Sequence, residues 1–347
     1  VADVVLQSGG KDLSGWTSVR VRRSLEHVAG DFTLSISAPV ELDEGDEAAI
    51  RIGRETLLVG YVDRRTVSFS ADQHTVEVSG RDKTGDLVDC SADLRKWTWR
   101  NISVLDFARQ VAAPFGVGVT AQLGAVPAEP VEELSIDPGD SAYEAIERAC
   151  RGAALLPVAD GLGGLVLTRA GAQVTRESLI EGRNLLGGTA TVDRTGRFRR
   201  YKVRGQHAGS DSLSGATAAT VTGEAQDLGS APARVLIVRA EGNVTRARAK
   251  TRAEWEATVR AARAVEVTLT VQGWTQAGGL LWPVNALVHV RSPTLGLDGQ
   301  MLITGAVFQL DSSTGTTTEL TCRLPGAFQP EPLIPRRPKK RGTVALP

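Results

Sequence analysis

The chain has little with which to hold a metal, a disulfide framework or a membrane. Three of its 347 residues are cysteine, Cys90, Cys150 and Cys322, an odd number at wide spacings with no Cys-x-x-Cys pair. That excludes a stapled scaffold and reads as small buried residues in a reducing compartment. A zinc site needs clustered donors, and the four histidines, His27, His74, His207 and His289, are scattered. No apolar run reaches membrane-spanning length, and no charged-then-apolar leader is expected, so the glycosylation-like matches at Asn101 and Asn243 read as chance. Aromatics are only 5% of the chain, too few to interleave widely with basic residues as base stacking requires. Charge of one sign is also missing: 40 basic residues balance 40 acidic ones, which argues against a surface tuned throughout for nucleic acid or anionic lipid.

Glycine, by contrast, is plentiful at 37 residues, which suits many strands and turns. The length allows two to four domains. The stretch from Ile50 to Cys90 reads as three strands and a polar cap. Ile50 to Gly53 is short, Thr56 to Val67 is long with Gly60 and Tyr61 at its middle, and Thr75 to Ser79 returns with Val76 and Val78 on one face. Its period of two is that of a half-buried antiparallel sheet. The same plan recurs near the end: Leu287 to Arg291, then Met301 to Val307 with Gly305 at its middle, a turn over Asp311 to Thr316, and Thr318 to Cys322. Glycine inside a strand marks a bulge or bend, as barrels need at their corners. The pattern predicts a duplicated small barrel; the plain alternative is that any two meanders look alike.

Strands are also expected at Val1 to Leu6, Thr17 to Arg23 and Phe32 to Ile36, completing a first sheet of about six. The period then changes. Ser103 is placed to cap a helix carrying Leu105, Ala108 and Ala112. Ala125 to Glu133 reads as a linker. Ser141 and Glu144 form a capping box for a second helix, with Tyr143, Ile146, Ala149 and Cys150 inward and Gly152 at its C-terminal cap. Asp160 to Gly164 lies between two short strands as a hairpin turn. Gly209 to Gly229 offers little to bury and reads as a mobile loop. Thr245 to Arg263 is the longest helix, with Ala249, Ala253, Ala257 and Ala261 in one stripe.

The expected division is a first β-barrel domain over 1–93, inserted α/β modules over 94–198, a second β-barrel domain with the long helix near 245–263 over 199–325, and a Pro-rich basic tail over 326–347. The fold class is therefore mainly β, with inserted α/β modules and two similar small barrels in one chain.

Signals for chemistry are weak. Gly161 to Gly164 lacks the Gly-Lys-Ser/Thr ending and the following helix of a phosphate loop. Asp63, Asp82, Asp86 and Asp89 could hold a cation or a catalytic pair, but Arg64, Arg65, Arg81 and Lys83 interleave with them, so ion pairs and turn hydrogen bonds account for them better. No nucleophile–base arrangement is suggested. No catalytic, cofactor or metal residue is expected. Arg246, Arg248, Lys250 and Arg252 make the long helix basic at its start, either as a solvated face or as a surface meeting an acidic partner or DNA. Arg336, Arg337, Lys339, Lys340 and Arg341 form a basic run that is either a disordered tail or a partner-docking segment. Trp16, Trp274 and Trp282 read as core or barrel-end plugs, or as interface anchors.

Four stretches carry a resemblance over nearly the whole chain: GWTSVRVRRSLEHVAGDFTLSI from Gly15, GYVD from Gly60, GRDKTGDLVDC from Gly80 and GWTQAGGLLWPVNALVHV from Gly273. They resemble the Mu-type phage baseplate hub family, which is similar to the central hub of phage T4 and to the hub part of type VI secretion spikes. The resemblance implies a structural protein, not an enzyme: a homotrimeric ring in the virion's tail baseplate, assembled in the host cytoplasm. Such a ring joins the six-fold tail tube to a trimeric spike protein, contacts other baseplate proteins and leaves a channel for DNA without reading its sequence. No spike-like repeat or lysozyme-like motif is seen, so the spike is expected to be a separate polypeptide. One alternative is the hub of a headless phage-tail-like or type VI-like particle. The alternative from another class is a β-rich cell-wall hydrolase, which loss of peptidoglycan clearing on Asp82→Ala would reveal.

Overall fold

The computed structural model describes residues 4–127, 129–206 and 221–332. The chain divides into two compact units, the first built from 1–192 and 265–328 and the second from 193–264 and 329–347.

In the first unit the chain opens with seven strands: β1 (Val4–Ser8), β2 (Lys11–Leu13), β3 (Ser18–Ser24), β4 (Asp31–Ile36), β5 (Glu47–Ile52), β6 (Glu55–Phe69) and β7 (His74–Asp82). Their period-two sequences become period-two burial. Phe32, Leu34 and Ile36 of β4 point inward, as do Val76 and Val78 of β7, while Thr33 and Glu77 do not. Next comes a small α/β module: α1 (Gly85–Asp89), β8 (Thr98–Ile102), α2 (Val104–Ala112), β9 (Val119–Ala121), β10 (Val131–Ser135), α3 (Ala142–Gly152), β11 (Leu156–Ala159) and β12 (Leu165–Thr168). Three short strands follow: β13 (Gln173–Val174), β14 (Leu179–Ile180) and β15 (Leu185–Val192).

The second unit holds β16 (Arg200–Gln206), β17 (Val221–Gln226), β18 (Val235–Asn243) and α4 (Arg246–Arg263). The chain then returns to the first unit with β19 (Val265–Gln272), β20 (Ala286–Ser292), β21 (Leu297–Asp311) and β22 (Gly315–Arg323).

The protein is mainly β. Its main sheet has 14 strands, ordered β15-β19-β22-β21-β3-β4-β7-β6-β5-β1-β2, with β20 beside β21 and β13 and β14 on β20. Two separate barrels are therefore not what forms, and no closed barrel occurs among the described residues. The cause is one antiparallel pairing: β21 of the second meander lies against β3, with Phe308 opposite Val21, and fuses both halves into one open sheet. One hydrophobic core runs through both, from Leu34, Ile50, Leu58 and Val78 to Leu269, Ile303, Phe308 and Leu320. Trp16, Trp274 and Trp282 are buried in it, so the plug reading describes them better than exposed anchors.

The α/β module has its own core around Phe107, Val111, Ile146 and Leu165, with Trp99 edge-on to Phe107. Both expected helix starts form. The Asp106 N–H donates to the Ser103 hydroxyl, and the Ser141–Glu144 capping box is complete. The end of α3 differs from expectation. Gly152 stays inside the helix, Ala153 caps it, and the left-handed residue is Ala154, with φ 59°. The Leu155 N–H still reaches the Cys150 carbonyl there, so the backbone bond sets the turn without glycine. Cys90 is also exposed, unlike Cys150 and Cys322, because it lies just past α1 at the edge of this module.

In the second unit the sheet order is β17-β16-β18. The expected mobile loop over Gly209 to Gly229 contains a strand, β17; residues 209–220 of it lie outside the described residues. Packing decides this strand. Ala249 and Ala253 of α4 are buried with Tyr201 and Val203, and a Cβ on Gly223 would lie 2.1 Å from the backbone of Ala249. Glycine is what lets the helix press onto β17. Thr245 caps α4, and Glu256 is buried between Arg252 and Arg260 at 3.0 and 2.8 Å.

Candidate assembly surface

The two meanders superpose as strand patterns. β5-β6-β7 and β20-β21-β22 each pair in series, and β6 and β21 are both 15 residues long. Each long strand carries an irregularity against its return strand, between Val62 and Arg64 in β6 and between Ile303 and Gly305 in β21. Counted from there, Val67 corresponds to Phe308 and Phe69 to Leu310. Matching the copies on their central glycines, Gly60 with Gly305, is thus four residues out of register: the counterpart of Gly305 is Arg64. A glycine marks a close approach in the first copy, where a Cβ on Gly60 would lie 1.8 Å from the Arg81 carbonyl oxygen, but the hydrogen-bond ladder sets the alignment.

The copies differ at one edge. On β21 the edge beyond β20 is covered by β3 from Gly305 to Leu310. On β6 the edge beyond β5 has no strand partner among the described residues past Tyr61. Its side chains follow suit: Phe308 is fully buried, whereas Val67 is 51% and Phe69 87% exposed. An unpaired strand edge is a template for another strand, and this one also bares Val67 and Phe69. It is the surface here most suited to assembly, and the sequence did not mark it, because alternation reads the same whether an edge is paired or open.

The aspartates near this edge do fold chemistry. Arg81 lies between Asp63 at 3.2 Å and Asp89 at 2.6 Å, and the Arg81 hydrogen bond holds the Asp89 carboxyl below its ordinary range. Asp82 is buried. Its carboxylate accepts the Gly30 N–H at 2.8 Å, the Thr84 N–H at 2.9 Å and the Thr84 hydroxyl, tying the loop before β4 to the end of β7. Burial pushes the Asp82 carboxyl up, against the pull of those hydrogen bonds and of the Arg23 charge. Arg23 in turn donates to the Asp160 carbonyl at 2.8 Å. The Asp160 carboxylate accepts the N–H groups of Leu162 and Gly164, so the glycine run is a hairpin turn between β11 and β12.

The structure does not gather the sequence candidates into one site. Arg336, Arg337, Lys339, Lys340 and Arg341 lie outside the described residues. Arg246, Arg248 and Lys250 are exposed on α4, while Arg252 pairs with Glu256. Among the described residues no three His, Cys, Asp or Glu side chains are placed to hold a metal ion, and no helix is long and apolar enough to cross a membrane.

Three family models match the chain in order. Residues 3–82 match the N-terminal domain of Mu phage baseplate assembly protein GpP-like proteins, 84–169 the second domain of baseplate hub protein gp44-like proteins, and 245–331 the fourth domain of Mu phage baseplate assembly protein GpP. Baseplate hub protein gp44 of Escherichia phage Mu is 31% identical over 329 residues, covering 92% of this chain and 86% of that protein. The 43 kDa tail protein of prophage MuSo2 from Shewanella oneidensis superposes with a TM-score of 0.85 at 30% identity, over 96% of this chain and all of that one. A tail protein from Neisseria meningitidis MC58 gives 0.80 at 24% identity, over 95% and 98%, a likeness of fold.

Proposed function

Since the chain belongs to the Mu-type family of phage baseplate hub proteins, we propose that three copies form the ring at the centre of a contractile tail's baseplate, joining the six-fold tail tube to a three-fold spike. It is a structural protein of the tail baseplate, not an enzyme. The observation that carries the ring is the duplicated meander. Each chain supplies two similar units in one sheet, so three chains supply six, which match a hexameric tube on one face while the ring keeps three-fold symmetry for the spike. The partners are then the trimeric spike protein, the tube or distal tail proteins and neighbouring baseplate proteins.

A central channel passes DNA without reading it, in keeping with a net charge of zero and no aromatic stacking platform. Assembly takes place in the host cytoplasm. The basic run from Arg336 to Arg341 serves as a docking segment for an acidic surface of a partner.

Light scattering of the full chain across micromolar concentrations tests this. The expected mass is three times 36.7 kDa. A monomer that stays monomeric when the spike protein of the same tail is added overturns it.

A further inference from the structure

We infer that neighbouring copies join through one continuous sheet, with the open edge of β6 in one copy pairing antiparallel with the open edge of β15 in the next. The closure at three copies rests on the ring proposed above; the pairing itself rests on an internal repeat of the junction. Within one chain, β21 meets β3. β6 is the counterpart of β21. The counterpart of β3 follows by tracing the sheet outward. β3 lies on β4, which lies on β7; β15 lies on β19, which lies on β22. Val21 is opposite Phe32, itself opposite Gly80; Ala190 is opposite Val267, itself opposite Cys322. Gly80 and Cys322 face the matched residues Val62 and Ile303. Ala190 is therefore the counterpart of Val21.

The other edge of β15 is open. Apart from a bridge from Leu185 to Glu181, it pairs among the described residues only with β19 and ends the sheet, with Leu186 59% and Val192 56% exposed. Carrying the internal register across sets Val67 opposite Ala190 of the next copy, as Phe308 is opposite Val21. Thr66 then meets Thr191, Ser68 meets Thr189, Arg65 meets Val192 and Phe69 meets Gly188.

These pairs make chemical sense. Phe69, bare in the single chain, comes to lie over a residue without a side chain, where Leu269 and Leu295 reach within 3.1 Å of the place a Cβ would take. An aromatic ring across from a strand glycine shields its backbone, and here it would pack onto those two leucines. Thr66 with Thr191 is a favourable β-branched cross-strand pair. The internal junction sets Ala306 opposite Arg23, and the junction between copies sets Arg65 opposite Val192, a small apolar residue and an arginine with the sides exchanged. Two different edges meet head to tail, and such an interface repeats until the rotation closes into a ring.

The test is a pair of cysteines in the full chain with Cys90→Ser as background, since Cys150 and Cys322 are buried. Directly opposed residues in a sheet lie within disulfide reach. Val67→Cys with Ala190→Cys, mildly oxidised, is expected to give a covalent trimer on a denaturing non-reducing gel. Val67→Cys with Thr189→Cys, one residue off and on the opposite face, is expected to give none. A trimeric mass in solution with no link at 67 and 190 overturns the strand pairing and leaves the ring standing. Linked chains growing into open ladders uphold the pairing and overturn closure at three. A monomer without a link, with and without the spike protein, overturns both.

Discussion

Val67 and Phe308 hold the same place in two copies of one long strand, yet Phe308 is fully buried and Val67 is half exposed. The difference is β3, which covers one strand edge and not the other. Substitutions at the two positions are therefore expected to act on different equilibria. Phe308→Ala should cost the folded chain about 4 kcal/mol through lost burial and a residual cavity. Val67→Lys and Phe69→Lys should leave the folding midpoint of the isolated chain within about 0.5 kcal/mol, as surface changes do, and abolish the trimer. Urea unfolding with light scattering on the same samples separates the two.

Asp82, at the end of β7, holds the loop before β4 in place. Asp82→Ala leaves the Gly30 and Thr84 N–H groups without their acceptor and takes a neighbouring negative charge from buried Arg23, which should cost about 3 kcal/mol. Stability measured by denaturant should fall, with no peptidoglycan clearing to lose. Clearing by the parent protein that vanished in the variant would restore the hydrolase reading.

The close approach of α4 to β17 makes Gly223 a sensitive position. Gly223→Ala places a methyl 2.1 Å from the Ala249 backbone, which only a shift of the helix can relieve. A loss of about 2 kcal/mol or more is expected, appearing first as faster hydrogen exchange in α4.

Acid should loosen the second unit through Asp227. The Arg197 guanidinium, bonded to both its carboxylate oxygens at 2.8 Å, holds that carboxyl below its ordinary value near 3.8. A lowered folded value means stability that is fully present above about pH 4 and is lost as pH falls through the folded value. Asp227→Asn should flatten that part of the acid unfolding curve, followed by the fluorescence of Trp255 in the same unit.

Thiol reactivity should divide one to two. Cys90 is exposed, while burial pushes the Cys150 and Cys322 thiols up to about 12. A thiol reagent at pH 8 should modify one cysteine per folded chain and three after denaturation.

Local features were legible because their causes are local. Ser103, the Ser141–Glu144 box and the Asp160 turn act within four residues, and each formed as expected. Strand alternation was readable for the same reason, since each side chain's face follows from its own position. The end of α3 was misread because a backbone bond, not a glycine, closes it. β17 was missed because its sequence buries little by itself; α4, more than twenty residues downstream, supplies the cover.

By itself, then, the sequence determined a mainly β protein with two related meanders, an inserted α/β module and the hub family it belongs to. Only the tertiary structure decided that the meanders share one open sheet, that Gly305 matches Arg64, and that one edge of β6 is left bare. These are pairings between residues up to nearly three hundred positions apart, such as Leu310 with Val19. A strand's alternation says which face is apolar; which neighbour takes its hydrogen bonds is settled only when distant strands compete for the same edge.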